Sequence, residues 1–172
     1  MNVLVLFATV EGQTGKIARF AADQARALGH SVTLVDVDDG SPVSFDGVEA
    51  VILAGPVHQR RHPKTFEVVL AGQKSALHER KTLLLSVSLS AAFPEGIEEA
   101  GEYITEMSMR TGFTPSETAL VAGAVRTGQY DYFAMQVVRY VVMRDREYDA
   151  SSGEHEFTDW DALSARISAF LS

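Results

Sequence analysis

The stretch that most constrains this fold is VLVLFATVEGQTGKI, which runs from Val3 to Ile17. Val3 to Phe7 is an uncharged run of β-forming residues, and the polar loop Thr9 to Gln13 follows it directly. Apolar residues then recur at helical spacing as far as Leu28, and Gly29 follows as a helix-stop residue. The stretch therefore predicts a strand, a tight loop and a helix in immediate succession.

The start of this helix is a suitable site for a phosphate group. The first turn of a helix has backbone N–H groups without intrahelical partners and carries the positive end of the helix dipole. Thr9 and Thr14 add hydroxyl donors, and Gly12 lets the backbone close around an anion. A plain strand-to-helix turn is the alternative. The run Gly12 to Lys16 is not a P-loop, and G-x-G-x-x-G is absent, which disfavours an NTPase and a dinucleotide-binding protein.

The rest of the chain continues to alternate strands with helices. Four further apolar segments predict strands at Ser31 to Val37, Ala50 to Ala54, Thr82 to Val87 and Thr118 to Ala124. This alternation predicts a single α/β domain over residues 1–172, with a doubly wound, five-stranded parallel sheet. Because ligands of such sheets bind beyond the carboxyl ends of the strands, we expect the loops at Thr9, Gly55 and Ser88 to converge.

An insertion from Val125 to Phe157 separates the fifth strand from the last helix. Its apolar run, Tyr130 to Met143, has helical character and is too short to span a membrane, so we expect it to form a contact surface. The closing helix is predicted to begin at Thr158, because Thr158 and Asp161 have the spacing of a capping box.

Composition excludes several classes of protein. With 46% hydrophobic and 22% charged residues, the 172-residue chain resembles an ordinary globular protein. A formal net charge of -8 argues against broad nucleic-acid binding, and the absence of cysteine excludes disulfides and thiolate catalysis. No spacing indicates a metal site. The N-terminal residues lack the features of a signal peptide, so we expect a cytoplasmic protein.

The opening run resembles the flavodoxin-like family, whose first loop, T-x-x-G-x-T, holds the phosphate of FMN. Within that family the chain is similar to the quinone-dependent protoporphyrinogen oxidases of bacteria. Ser86 to Leu89 resembles their S-V-N-L loop, and Ala122 to Arg126 resembles their A-G-A-L-R segment. The insertion matches in place and length, and it closes on the same Thr-Asp-Trp, here Thr158 to Trp160. The resemblance covers nearly the whole chain.

The resemblance implies an FMN site built from three loops. The phosphate would contact Thr9, Val10, Glu11, Gly12, Gln13 and Thr14. The flavin ring would lie between two further groups of residues, Gly55, Pro56, Val57, His58 and Gln59 on one side and Ser88, Leu89, Ser90 and Ala91 on the other. The flavin would carry the chemistry, so no side chain is required as a nucleophile. His58 and His62 are candidates for a direct catalytic role, with ordinary loop residues as the alternative.

One loop departs from the family pattern. The oxidases have an R-Y-G-H-like run where this chain has His58, Gln59, Arg60 and Arg61, so a stacking aromatic and a glycine are missing. Arg60 and Arg61 are candidates for binding the carboxylates of a porphyrinogen, or they are solvated loop residues.

Further expectations concern the insertion. Tyr130 and Tyr132 would line a porphyrin or quinone surface, or simply pack the insertion. The inserted helix could also make peripheral membrane contact, and the protein could form a homo-oligomer.

These features together predict an FMN-dependent oxidoreductase resembling protoporphyrinogen IX dehydrogenase, with a porphyrinogen and a quinone as small-molecule partners. One alternative is a flavodoxin-type electron carrier, which the acidic net charge favours. A second alternative is a flavin-free binding module, which the departure at Gln59 and Arg60 favours.

Overall fold

The computed structural model describes residues 1–126 and 154–172. The strands are β1 (Asn2–Phe7), β2 (Ser31–Asp36), β3 (Ala50–Pro56), β4 (Lys81–Ser88), β5 (Glu117–Ala122), β6 (Ala124–Arg126) and β7 (Glu154–Glu156). The α-helices are α1 (Gln13–Ala27), α2 (Lys64–Gly72), α3 (Lys74–His78), α4 (Ile97–Thr111) and α5 (Trp160–Leu171). Short 3₁₀ turns cover Val37–Asp39, Ser90–Ala92 and Pro94–Gly96.

Five strands form one parallel sheet in the order β2-β1-β3-β4-β5. This order is that of the flavodoxin-like doubly wound fold, so the predicted fold class is confirmed. The opening segment is the strand, loop and helix that its sequence predicts.

The central strands are buried on both faces, as their continuous apolar character requires. In β1, Val3, Val5 and Phe7 pack in a core with α1 and α5, while Leu4 and Leu6 pack in a second core with α2, α3 and α4. Because helices cover both faces, the edge formed by the carboxyl ends of the strands is the accessible place for a ligand.

The fifth strand ends earlier than predicted, at Ala122, and the carbonyl of the next residue, Gly123, accepts a hydrogen bond from the Phe157 N–H at 3.0 Å. The Gly123 N–H donates to the Ser88 carbonyl at 3.1 Å. A Cβ on Gly123 would lie 3.3 Å from the Val87 side chain, so a larger residue would require that side chain to shift by a few tenths of an ångström. The chain then leaves the main sheet and enters β6.

Strands β6 and β7 are the two ends of the insertion, and they pair antiparallel. We call this pair the insertion stem. The predicted apolar segment Tyr130 to Met143 lies outside the described residues. Among residues 1–126 and 154–172, no helix has the length and apolar character needed to cross a membrane.

The predicted cap of the last helix was wrong. Asp159 caps α5, since its carboxylate accepts a hydrogen bond from the Ala162 N–H at 3.0 Å. Thr158 does not cap the helix, because its hydroxyl donates to the Ala122 carbonyl at 2.7 Å. Thr158 therefore joins the end of the insertion to the end of β5.

Candidate functional site

The three loops predicted to form the site begin side by side at one edge of the sheet. The Ala8 N–H donates to the Ala54 carbonyl at 3.1 Å, and the Val57 N–H donates to the Val87 carbonyl at 2.7 Å. These bonds extend the pairing of β1 with β3 and of β3 with β4 beyond the last strand residues. The loops that follow β1, β3 and β4 therefore start together.

The first loop, residues 9–13, makes a tight turn into α1. Gly12 has a φ of 101°, which lies in the left-handed region that glycine adopts without a steric penalty. Its N–H donates to the Thr9 hydroxyl at 2.9 Å and closes the turn. Within residues 1–126 and 154–172, no side chain caps helix α1, and its first turn contains no acidic residue. These features suit a bound phosphate, which would occupy the positive end of the helix.

The side chains that follow this turn contact the end of the insertion. Gln13 Nε2 donates to Glu156 Oε2 at 3.1 Å and to the Thr158 hydroxyl at 3.0 Å. Lys16 Nζ lies 2.6 Å from Glu156 Oε2 and 5.3 Å from the centre of the Trp160 ring. The ammonium group of Lys16 is thus paired with a carboxylate of the insertion stem.

Glu156 is ionised at neutral pH. Partial burial acts to raise its pKa, but hydrogen bonds from Lys16, Trp160 and Gln13 outweigh burial and lower the pKa to about 2. Sequence reasoning did not assign Glu156 to the site. The available signal was its position two residues before the Thr-Asp-Trp motif that the chain shares with the oxidases.

The second loop begins where β3 ends, at Gly55 and Pro56. A Cβ on Gly55 would lie 2.6 Å from the Phe66 ring, so only glycine fits here without a shift of the core. Pro56 and Val57 are half-buried. Their contact with a flavin stays a prediction.

The tip of this loop is a two-residue hairpin. His58 and Arg61 exchange backbone hydrogen bonds of 2.9 and 3.2 Å. The two turn residues, Gln59 and Arg60, have φ angles of 51° and 67°. Such turns favour Asn-Gly, because a residue with a Cβ pays about 1–2 kcal/mol in the left-handed conformation. The missing glycine noted in the sequence therefore leaves a strained backbone.

The two candidate substrate-binding arginines are paired with carboxylates. Arg60 lies 2.7 Å from Glu99 of α4. Arg61 lies 3.2 Å from Glu67 of α2, whose side chain is almost fully buried. A role of either arginine in substrate binding stays a prediction.

The two candidate histidines have different environments. His58 is exposed, and its Nδ1 lies 3.9 Å from Glu11 Oε1, so it connects the first and second loops. His62 is 1% exposed, and its Nε2 lies 2.9 Å from the Ser86 hydroxyl. Its Nδ1 has no hydrogen-bond partner within residues 1–126 and 154–172. Burial lowers the pKa of His62 to about 4, so the ring is neutral at pH 7.

The third loop turns immediately after β4. The Ser88 hydroxyl accepts a hydrogen bond from the Ala91 N–H at 3.2 Å, and a 3₁₀ turn follows at Ser90–Ala92. Leu89 packs in a small cluster with Phe93, Val125 and Phe157, in which the two phenylalanine rings are 5.3 Å apart. The insertion therefore contacts the third loop as well as the first.

The structure thus brings together the predicted residues of all three loops. Tyr130 and Tyr132 lie outside the described residues.

A doubly wound sheet of this strand order, with three loops converging beyond β1, β3 and β4, defines a flavodoxin-like protein. The family described as Flavodoxin domain matches residues 4–152, and the chain belongs to this family. The predicted family is therefore confirmed.

Among curated proteins, protoporphyrinogen IX dehydrogenase [quinone] of Escherichia coli K12 is 22% identical over 164 residues, covering 95% of this chain and 91% of that protein. Among solved structures, oxidised flavodoxin 2 from Bacillus cereus has a TM-score of 0.58 and 16% identity, with 99% and 98% of the two chains covered. The Fusobacterium nucleatum flavodoxin bound to flavin mononucleotide has a TM-score of 0.52 and 13% identity, with 99% and 94% covered. These likenesses to structures show the fold.

Proposed function

We propose that this chain binds FMN without a covalent bond at the carboxyl edge of its sheet. The phosphate would lie on the loop from Thr9 to Thr14, and the flavin ring would lie between the second and third loops. The proposal rests on the convergence of these loops at the start of α1, where Gly12 has a left-handed φ and no side chain of the described residues caps the helix. The Flavodoxin domain match and the FMN-bound neighbour support the choice of cofactor.

A bound FMN would supply the electron-transfer chemistry. The residues of this chain would bind and orient it: backbone N–H groups at the start of α1 would hold the phosphate, and the hairpin at His58 to Arg61 would cover the ring. His58 is exposed beside the first loop, whereas His62 is buried and neutral, so His58 is the better candidate for contacting a substrate.

We propose that the substrate is a porphyrinogen and the electron acceptor a quinone. Oxidation of the porphyrinogen to a porphyrin would remove six electrons and six protons, so three quinones would each be reduced to a quinol. The similarity to the Escherichia coli dehydrogenase supports this, because it extends over 95% of the chain. Tyr130 and Tyr132 of the insertion would contribute to the substrate surface. The protein would work in the cytoplasm, with the insertion making peripheral contact with the membrane that holds the quinone.

The substrate can be tested with purified protein, added FMN and a soluble menaquinone analogue. We expect protoporphyrin fluorescence to rise after protoporphyrinogen IX is added under exclusion of oxygen, and to rise only when protein, FMN and quinone are all present. A flavin-loaded protein that gives no increase over the protein-free control would contradict the substrate while leaving FMN binding intact.

A flavodoxin-type electron carrier is the second candidate. The formal net charge of -8 favours it, since an acidic surface can dock on a basic reductase. A carrier would be reduced in two separate one-electron steps in a redox titration and would not oxidise the porphyrinogen. Reduction in one two-electron step would argue against this candidate.

A further inference from the structure

Side chains link the two loops that we propose to flank the flavin ring. On the side of the second loop, Arg60 reaches from the hairpin tip to α4. Its Nη1 lies 2.7 Å from Glu99 Oε1, and its guanidinium carbon lies 5.9 Å from the centre of the Tyr103 ring. The hairpin is therefore held to α4 by a charged and an aromatic contact.

On the other side, Tyr103 connects α4 with the third loop. Tyr103 is 5% exposed, and the side chains of Ser90 and Glu99 lie close enough to its hydroxyl to affect the pKa of the phenol. Burial is the largest influence on the phenol and raises its pKa, so the hydroxyl keeps its proton and can donate. A Cβ on Gly96 would overlap the Ser90 carbonyl, so the third loop also packs closely on the residues that lead into α4.

We propose that Arg60, Glu99 and Tyr103 form a clasp that joins the second and third loops and slows the release of FMN. This inference rests on the proposed function, because it assumes that the ring lies between these loops. The clasp forms at the strained tip of the hairpin, where Gln59 and Arg60 have φ angles of 51° and 67°.

The solvent exposure of the Arg60–Glu99 ion pair determines how strongly the clasp would hold the hairpin. The side chains of Arg60 and Glu99 are 71% and 37% exposed, so solvent and salt screen their attraction. A weak, screened contact opens readily. The clasp would thus retard the exchange of cofactor rather than prevent it, and high salt would weaken it.

The test compares the rate of FMN release from the loaded protein and from its Arg60→Gln and Glu99→Gln variants. Release is followed by the recovery of free flavin fluorescence after dilution. We expect each variant to release FMN about two to five times faster, the range that an exposed ion pair supplies. The double variant should be no faster than the faster single variant.

Two controls separate the clasp from general effects of charge. Arg166→Gln and Glu117→Gln break an ion pair of 2.8 Å that joins α5 to the start of β5, away from the proposed site. We expect both to release FMN at the wild-type rate. We also expect about 1 M salt to speed release from the wild type by a larger factor than from the double variant, in which salt screens the phosphate contact alone. Equal release rates in wild type, Arg60→Gln and Glu99→Gln would overturn the clasp.

Hydrogen exchange tests the clasp without flavin. The Arg61 N–H donates to the His58 carbonyl within the hairpin. In FMN-free protein we expect this amide to exchange faster in Glu99→Gln than in the wild type, and at the wild-type rate in Glu117→Gln. If the wild type takes up no FMN, the proposed function fails, and this exchange difference still decides whether the hairpin is clasped. Unchanged exchange in Glu99→Gln would overturn it.

Discussion

Among single residues, the most informative are those whose backbone conformation or buried position is energetically unfavourable. Gln59 and Arg60 adopt left-handed angles at the hairpin tip, and His62 is a buried imidazole whose Nδ1 has no hydrogen-bond partner among the described residues. The sequence indicated the backbone strain at the hairpin tip, because the glycine of the oxidase motif is absent there. The burial of His62 was not predictable, since it depends on the packing of α2 and β4 around the ring.

The strain at Gln59 can be measured directly. Gln59→Gly should stabilise FMN-free protein by about 0.5–1 kcal/mol, because glycine relieves the left-handed angle and loses part of this gain through its freer unfolded chain. Gln59→Ala removes the same side chain but keeps the Cβ, so it serves as the matched control and should give no such gain. Urea unfolding measures both, and equal stabilities of the two variants would show that the turn is unstrained.

The buried His62 predicts a pH dependence of stability. Burial lowers its folded pKa to about 4 from an ordinary 6.5, so the unfolded chain binds more protons between these values. Its contribution is therefore fully present above pH 6.5 and is lost as the pH falls toward 4, by roughly 3 kcal/mol in all.

Urea unfolding between pH 7 and pH 4 tests this dependence. His62→Asn should flatten the profile over that range. Ser86→Ala removes the hydrogen bond to His62 but leaves the ring buried, so this control should lower stability while keeping the slope. A slope in His62→Asn as steep as in the wild type would assign the pH dependence to other groups.

At the scale of elements, the insertion stem is the part that connects otherwise separate loops. Glu156 holds Gln13 and Lys16 beside the first loop, and Phe157, directly after the stem, packs near the third loop. Local patterns could not reveal this. The sequence predicts one strand from Thr118 to Ala124, whereas the antiparallel pairing of β6 with a segment about thirty residues later depends on the long-range fold.

The stem should therefore influence cofactor binding through Glu156. Glu156→Gln removes the ion pair with Lys16 and should lower stability by about 1 kcal/mol and weaken FMN binding. Glu117→Gln breaks a comparable Arg–Glu pair that does not touch the first loop. Titration of FMN into both variants measures the difference. An equal affinity of the two variants for FMN would show that the stem does not position the loop.

The residue that caps α5 could not be predicted from the local sequence either. Thr158 and Asp159 are both good caps, so their sequence alone does not decide between them. In the structure the Ala122 carbonyl accepts a hydrogen bond from the Thr158 hydroxyl, so Asp159 caps α5 instead. By contrast, β1, β3 and β4 were predictable because uncharged runs of this length form buried parallel strands.

For the whole molecule, the fold and the family could be predicted from the alternation of strands and helices along the chain. The ion pairs that join distant parts of the chain could not be predicted in this way. The order of the sheet places three loops together, and this was predictable from the alternation of strands and helices. The pairs Arg60 with Glu99 and Glu156 with Lys16 join residues far apart in sequence. Charge spacing along the chain carries no information on such pairs.

A flavin titration tests the claim that FMN binds at the loop from Thr9 to Thr14. We predict that the wild type takes up FMN at one molecule per chain, with quenching of flavin fluorescence. Gly12→Ala should lose this uptake, because its φ of 101° is lost or strained. Gly29→Ala meets the same left-handed penalty at φ 90°, its Cβ would have no atom of the described residues within 4 Å, and it should retain uptake. No uptake by the wild type, or equal uptake by Gly12→Ala and Gly29→Ala, would contradict the claim.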